Sequence, residues 1–419
     1  MSSGAGMEAL EFRYEPLRYL ASRVVYGAGR RFWSARVAPL HLVRLPRPDP
    51  PRPGWRRIDV RLSGICGSDL GMVTGSESLY LEPEATYPFV PGHELTGTIA
   101  TESNPSGSGR VDLAKGQRVA VWSPLGCAAR GVDPLCSACR IGWDGHCVNR
   151  DGGWPGSGIG TGFNHETGGG WAEACLAHES QLWPLPESVT DEEAVLLDAA
   201  ASSLAALLRT DAPDMQRTLI VGGGTIGLLA AYLHAALRLP GSVESIVRHG
   251  FQAEWLARRG IAASIVRSER AFLDWTATRG MTTRRVFGYG HVVRGTFDRV
   301  IVAAATPQAV RQAFQAVRPR GTVALLTSPT VTRLDLTPLW YREVTVRGIY
   351  VYGPVPWQGE QRHPFAVLLP LLASGALAWG DLVTHSFRLS DYVAAFDAAT
   401  HRLAAPALKV VFRPPGLDA

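Results

Sequence analysis

Two different spacings of apolar residues divide the chain. Through the first third they come in short extended runs cut by Gly and Pro, as in 58-IDVRLSG-64, 95-LTGTIATE-102 and 117-QRVAVWS-123. Such runs between turn formers predict strands, and a set of them predicts a β-rich, barrel-like domain. The stretch 46-PRPDPPRPGW-55 is a proline-rich connection. Its prolines lack amide hydrogens, so it is extended and cannot form a helix. Residues 13–45 carry no pattern that assigns a function.

Near residue 190 the period changes. The run 190-TDEEAVLLDAAASSLAALLRT-210 opens with Thr190 and Glu193 at capping-box spacing and continues as a buried helix. Strand and helix then alternate: strand 218-TLIVGG-223, helix through 238, strand 243-VESIV-247, helix near 251–259, and a short strand near 262–266. After these come 297-FDRVIVAAA-305, helix 307–317 and strand 321-GTVALLT-327. This alternation predicts a doubly wound parallel sheet, so the fold class is α/β with an added β-rich domain. Past 344, the runs 344-VTVRGIYVYG-353 and 408-LKVVFRP-414 read as strands returning to the first domain. Residues 268–295 read as an irregular insertion.

Composition narrows the class. A chain of 419 residues exceeds one comfortable core and suits two domains. Its 46% hydrophobic and 19% charged content is that of a globular protein. No uninterrupted apolar run reaches the ~18 residues of a membrane span, and the N-terminus lacks a basic flank followed by an apolar stretch. A cytoplasmic location and no membrane partner are therefore expected. The formal charge of +5 is spread over arginine pairs such as Arg56-Arg57 and Arg258-Arg259, with Lys115 and Lys409 the two lysines. Scattered pairs make no basic stripe, and no nucleic-acid partner is expected.

The run 222-GGGTIG-227 fits G-x-G-x-x-G, with a strand before it and an apolar helix after it. In that context Gly222 permits the turn, Gly224 lets the backbone approach a pyrophosphate, and Gly227 lets the helix pack on the sheet. The amides around Thr225 and Ile226 open the helix toward the phosphates. Where an NAD site places a carboxylate for the ribose hydroxyls, this chain reads 246-IVRHG-250. Arg248 suits a 2′-phosphate instead, so NADP(H) is expected in preference to NAD(H). Glu244 lies too early in the strand to serve.

Four of the six cysteines crowd into 127-CAARGVDPLCSACRIGWDGHC-147. Cys136, Cys139 and Cys147 stand in C-x2-C-x7-C spacing, which predicts a closed structural zinc site. Cys127 is the favoured fourth ligand, with Asp133 the alternative. A second set, Cys66 in 64-GICGSDLG-71 with His93 and Glu94 in 92-GHE-94, offers thiolate, imidazole and carboxylate.

The order GICGSD, GHE, cysteine lobe, glycine loop and returning tail resembles the zinc-containing medium-chain dehydrogenase/reductase family, the alcohol and polyol dehydrogenases. Further matching stretches are 169-GGWAEACLAHESQLWPLPESVTDEEAVLLD-198, 341-YREVTVRGIYVYG-353 and 382-LVTHSFRLSDYVAAFDAAT-400. The resemblance runs from about Arg56 to Pro414. It implies a GroES-like catalytic domain at 1–187, a Rossmann domain at 188–345 and a return to the catalytic domain at 346–419. It also implies catalytic and structural zinc, a small alcohol, aldehyde or ketone substrate, and a homodimer or homotetramer.

Residue by residue, Cys66 and His93 match zinc ligands, and the third protein ligand is Glu94 or Asp198. Asp69 matches the residue that orients the ligand histidine. Ser68 matches the hydroxyl that bonds the substrate oxygen, and Trp122 a pocket wall. Trp154 and Phe163 hint at further apolar lining. Two departures stand out. Relatives carry a His five residues after the ligand cysteine to end a proton relay, where this chain has Gly71, and Asp198 replaces a common Glu. The implied activity is alcohol–carbonyl interconversion. The alternatives are reduction of an activated C=C bond without catalytic zinc, or a non-enzymatic dinucleotide-binding scaffold.

Overall fold

The strand Trp55–Gly64 organises the first of two units. Alternate side chains along it face inward, and it pairs antiparallel with Leu95–Ile99, Ala174–His178 and Lys409–Phe412. Arg118–Val121, Leu182–Pro184 and Val383–Phe387 complete a seven-stranded sheet. Its inner face closes on Ile58, Val60, Leu95, Val119, Val121 and Leu182. The short apolar runs of the first third form this sheet, as their alternation predicts.

The structure is a computed structural model that describes residues 6–27, 37–102, 104, 113–211, 215–327, 333–350, 353–400 and 406–414. One unit comprises Met1–Asp198 with Tyr352–Pro354 and Phe365–Ala419; the other comprises Ala199–Val351 with Val355–Pro364. No helix among the described residues is long and apolar enough to cross a membrane.

Within 13–45, the helix Pro16–Gly27 connects the strands Met7–Phe12 and Leu40–Leu45, which pair antiparallel. Leu10, Phe12 and Tyr19 enter a core with Trp171, Phe396 and Phe412. The described part of this extension is thus built into the first unit.

The second unit holds a six-stranded sheet in the order Ala262–Ile265, Ser242–Val247, Arg217–Val221, Phe297–Val302, Val317–Leu325, Thr345–Gly348. All its pairings are parallel. Numbered along the chain, the order is 3-2-1-4-5-6, which reverses beside Arg217–Val221. Ligands of such sheets bind outside the strands' carboxyl ends at that reversal, and Gly222 follows there.

Three expectations need correction. Thr345–Gly348 does not return to the first sheet; it pairs with Val317–Leu325 as the sixth parallel strand, and only Lys409–Phe412 of the two runs goes back. Thr345–Gly348 is exposed along its length, so its short β-branched run carried no sign of which sheet it extends. Residues 268–295 are regular, consisting of helix Glu269–Ala277 and the hairpin Thr282–Val286 with Gly290–Arg294. Phe272, Trp275 and Val293 anchor them in the core. The run 190–210 divides into Asp191–Ala194, opened by the Thr190–Glu193 capping box, and Leu197–Arg209.

Candidate functional site

Cys66 lies between the strand Trp55–Gly64 and the helix Gly67–Val73, which it caps. The Cys66 amide donates to Asp69 Oδ2 at 2.8 Å. The other oxygen of the same carboxylate, Oδ1, stands 3.4 Å from His93 Nδ1. Asp69 is fully buried and His93 nearly so. One carboxylate therefore hydrogen-bonds the start of the helix and faces the imidazole as an ion-pair partner, which leaves His93 Nε2 for a ligand.

The glycine of 92-GHE-94 is required by its surroundings. Gly92 has φ +97°, and a Cβ there would lie 2.5 Å from Trp171 Cδ1 and 2.7 Å from Ser63 Oγ. The buried carboxylate of Glu94 is ion-paired with Lys409 Nζ from the C-terminal strand. Gly64 leaves room for this pair, since a Cβ on it would overlap Glu94 Oε2 and come within 2.7 Å of Lys409 Cε.

Cys66, His93 and Glu94 each present one donor atom, all within 4.8 Å of one another. Burial opposes a charge on His93, but Asp69 and then Cys66 outweigh it and hold the imidazole well above its ordinary value. Burial likewise opposes the Lys409 cation, which Glu94 and Cys66 restore and raise. A thiolate, a buried imidazole and a carboxylate converging in this way form a donor set suited to zinc.

In the cysteine lobe, Cys127, Cys136, Cys139 and Cys147 bring their sulfurs within 4.8 Å of one another. Cys127 Sγ and Cys147 Sγ are 3.6 Å apart. Sulfurs at ~2.3 Å from a tetrahedral zinc are ~3.8 Å apart, so the spacing fits that ion. Amides of Cys136 and Cys139 and Asn149 Nδ2 point at these sulfurs at 3.4 Å, as partners of thiolate charge. Burial pushes Cys147 up to about 11 and Cys139 higher still. Burial also acts on Cys136, but the amides of Cys139 and Val148 outweigh it and bring that thiol to about 6. A bound cation removes the cost of holding four thiolates in one buried lobe. Asp133 is outside the cluster.

In the second unit, Gly222 has φ +125° and Gly224 caps the helix Thr225–Ala236. A Cβ on Gly227 would overlap Gly222 O, so the helix begins close against the turn. Thr225 and Ile226 form its first turn, where helix amides point toward the N-terminal end. Arg248 follows Ser242–Val247, is exposed, and makes no ion pair among the described residues. Glu244 is engaged by Arg279 Nε at 2.6 Å and Arg217 at 3.5 Å.

Other expected residues are less central. Ser68 is half-buried in the first turn of its helix, while Asp198, buried in the first turn of Leu197–Arg209, is not part of the Cys66 cluster. Trp122 is 1% exposed and packs edge-on against Phe365. Trp154 packs edge-on against Trp55 at 4.6 Å. Trp122 is a core side chain, which corrects the expectation that it forms a pocket wall, while Trp154 is half-buried at the edge of its cluster. Phe163 does stand beside the cluster, its ring centroid 5.0 Å from that of His93.

Comparison with known proteins agrees with this layout. Residues 52–187 match the alcohol dehydrogenase GroES-like domain. The L-threonine 3-dehydrogenase of Saccharopolyspora erythraea is 26% identical over 366 residues, covering 86% of this chain and 92% of that one. A probable zinc-binding alcohol dehydrogenase of Mycobacterium tuberculosis is 29% identical over 384 residues, covering 89% of this chain and 86% of that one. Over most of its length the chain is thus similar to zinc-type alcohol dehydrogenases, and residues 52–187 carry the alcohol dehydrogenase GroES-like domain.

The fold agrees as well. Galactitol-1-phosphate dehydrogenase from Escherichia coli aligns over 97% of this chain and 100% of its own, with TM-score 0.69 and 22% identity. The protein is an alcohol-dehydrogenase-like oxidoreductase with a GroES-like domain and a Rossmann-type sheet.

Sequence reasoning missed Lys409 as part of the site. A signal existed: it is one of two lysines and lies inside the apolar run 407-ALKVVF-412. A charge in such a strand implies a buried partner. Asn149, two residues past Cys147, had no signal of its own.

Proposed function

We propose that this protein is a zinc- and NADP(H)-dependent oxidoreductase that interconverts an alcohol and its aldehyde or ketone. The observation that carries this reading is the convergence of Cys66, His93 and Glu94, with Asp69 hydrogen-bonded to Cys66 and facing His93 as an ion-pair partner. When bound there, zinc supplies Lewis acidity that lowers the pKa of an alcohol and polarises a carbonyl, and the nicotinamide takes or gives the hydride.

In this reading Cys66 and His93 hold the metal, with Glu94 or Asp198 as the remaining protein ligand. Asp69 keeps the proton on His93 Nδ1, so that Nε2 is the ligating nitrogen. Ser68, two residues on from Cys66, takes the substrate's hydroxyl proton. Cys127, Cys136, Cys139 and Cys147 hold a second zinc that rigidifies their lobe. The turn from Gly222 to Gly227 and the amides of Thr225 and Ile226 receive the pyrophosphate. Arg248, exposed and unpaired among the described residues, receives the 2′-phosphate.

Reduced thiols persist as metal ligands in a reducing compartment, which supports a cytoplasmic setting. The exposed edge strand Thr345–Gly348, flanked by Trp340 and Tyr341 at 80% and 77% exposure, supports association of copies through the Rossmann sheet. The test is turnover of a panel of primary and secondary alcohols with NADP+ and with NAD+, on protein of measured zinc content. Oxidation with NADP+ preferred is expected. Zinc-free protein that reduces only enones would overturn the reading.

A further inference from the structure

The departure at Gly71 has a structural counterpart. A Cβ built on Gly71 would lie 2.5 Å from Glu77 Oε2 and 3.5 Å from Glu77 Cδ. The space beside residue 71 is thus filled by a carboxylate that arrives from the following loop. That loop is fixed: the amides of Ser76 and Glu77 both donate to Gly71 O, at 2.8 and 3.0 Å, and Tyr19 Oη donates to Glu77 O at 3.4 Å. Glu77 is half-buried, and no arginine or lysine pairs with it among the described residues.

We propose that Glu77 is the outer proton acceptor of the alcohol–carbonyl reaction, serving this chain where relatives use the histidine that Gly71 replaces. The inference rests on the reading of the Cys66 and His93 site given above. The chemistry requires an outlet. Oxidation breaks a C–H bond, whose electron pair leaves as hydride to NADP+, and an O–H bond, whose proton must reach solvent. Ser68 takes that proton and gives up its own, which passes through intervening hydroxyls or waters to the Glu77 carboxylate. The resulting carboxylic acid loses it to bulk water, and reduction runs the same steps backward.

The charges around Glu77 suit the task. Burial raises its pKa, the amide of Ser78 opposes, and Asp69 on the neighbouring helix raises it further. From the helix Pro16–Gly27 it faces Tyr19, itself raised by burial and by Glu77, with Arg23 close by. A carboxyl raised above its ordinary range holds a proton more readily than an exposed one, as an acceptor on such a path must.

The experiment compares wild type, Glu77→Gln and the double variant Gly71→His/Glu77→Ala, all loaded with zinc and checked for unchanged thermal unfolding. Calorimetry of NADP+ binding in phosphate and in Tris counts the protons released between about pH 5 and 8. The cationic nicotinamide lowers the pKa of a linked carboxyl, so wild type should show a release that Glu77→Gln lacks at similar affinity. With the alcohol that wild type oxidises fastest, Glu77→Gln should lose about ten- to a hundredfold in kcat with KM little changed. Added imidazole should restore it, and the double variant should recover activity with an imidazole-like pH profile. Identical proton release and pH profiles in wild type and Glu77→Gln would overturn the inference alone. A wild type that binds zinc and NADP+ but oxidises none of the alcohols overturns the underlying reading, and this inference with it.

Discussion

Glu94 and Lys409, 315 residues apart, form a buried ion pair whose carboxylate lies beside the Cys66 and His93 donors. The pair joins the GHE loop to the C-terminal strand, and Gly64 is small because the pair fills its space. Breaking such a pair leaves one buried charge without compensation, at about 3–5 kcal/mol. Lys409→Met should therefore lower stability by about that much in urea denaturation. The double variant Lys409→Met/Glu94→Gln should recover a good part of the loss. A Lys409→Met protein as stable as wild type would mean that the pair is open to water.

The cysteine lobe should behave as a structural metal site. Cys147→Ser should cost the protein one zinc ion and about 3 kcal/mol or more of stability, with the loss seen in thermal unfolding. Asp133→Ala should leave the zinc content unchanged, since Asp133 is outside the sulfur cluster.

Acid should destabilise the fold through two buried histidines. His178 Nδ1 accepts the Ser180 amide at 3.2 Å, which requires a neutral ring. Burial lowers His178 to about 4, with Glu179 opposing and Arg56 assisting, and burial with Arg299 lowers His234 to about 4. In the unfolded chain both titrate near ~6.5, so as pH falls below that value the unfolded state takes up protons first. Stability is intact above about pH 6.5 and is lost progressively toward pH 4, by about 2 kcal/mol per histidine at pH 5. Urea denaturation at about pH 7.5 and pH 5 measures the loss, and His178→Gln should remove part of the pH dependence.

Cofactor choice should turn on Arg248. Arg248→Asp replaces a phosphate-binding cation with an acceptor for ribose hydroxyls. NADP+ affinity should fall about ten- to a hundredfold while NAD+ affinity holds or rises. Equal loss for both cofactors would place the 2′-phosphate elsewhere.

How much the sequence disclosed depended on how local each feature is. The turn from Gly222 to Gly227 and the Cys136, Cys139, Cys147 spacing are complete within a few residues, and both form as their patterns imply. The choice between Cys127 and Asp133 was open because either could reach the cluster along the chain. Folding of the lobe brings Cys127 Sγ to 3.6 Å from Cys147 Sγ. The Glu94–Lys409 pair and the Glu77 carboxylate over Gly71 were illegible for a different reason: each depends on a long-range pairing or a loop path that no periodicity encodes. Trp122 was misread because large aromatics fill cores as readily as they line pockets. Thr345–Gly348 has the same β-branched character whichever sheet it joins.

The central claim is that Cys66 and His93 grip a metal ion. Elemental analysis of zinc per chain tests it most directly, in wild type, Cys66→Ser and Cys147→Ser purified alike. The account predicts about two zinc ions in wild type and about one in each variant, with oxidoreductase activity abolished only in Cys66→Ser. A Cys66→Ser protein that keeps the full wild-type zinc content, or an active wild type whose only zinc is lost in Cys147→Ser, would contradict it.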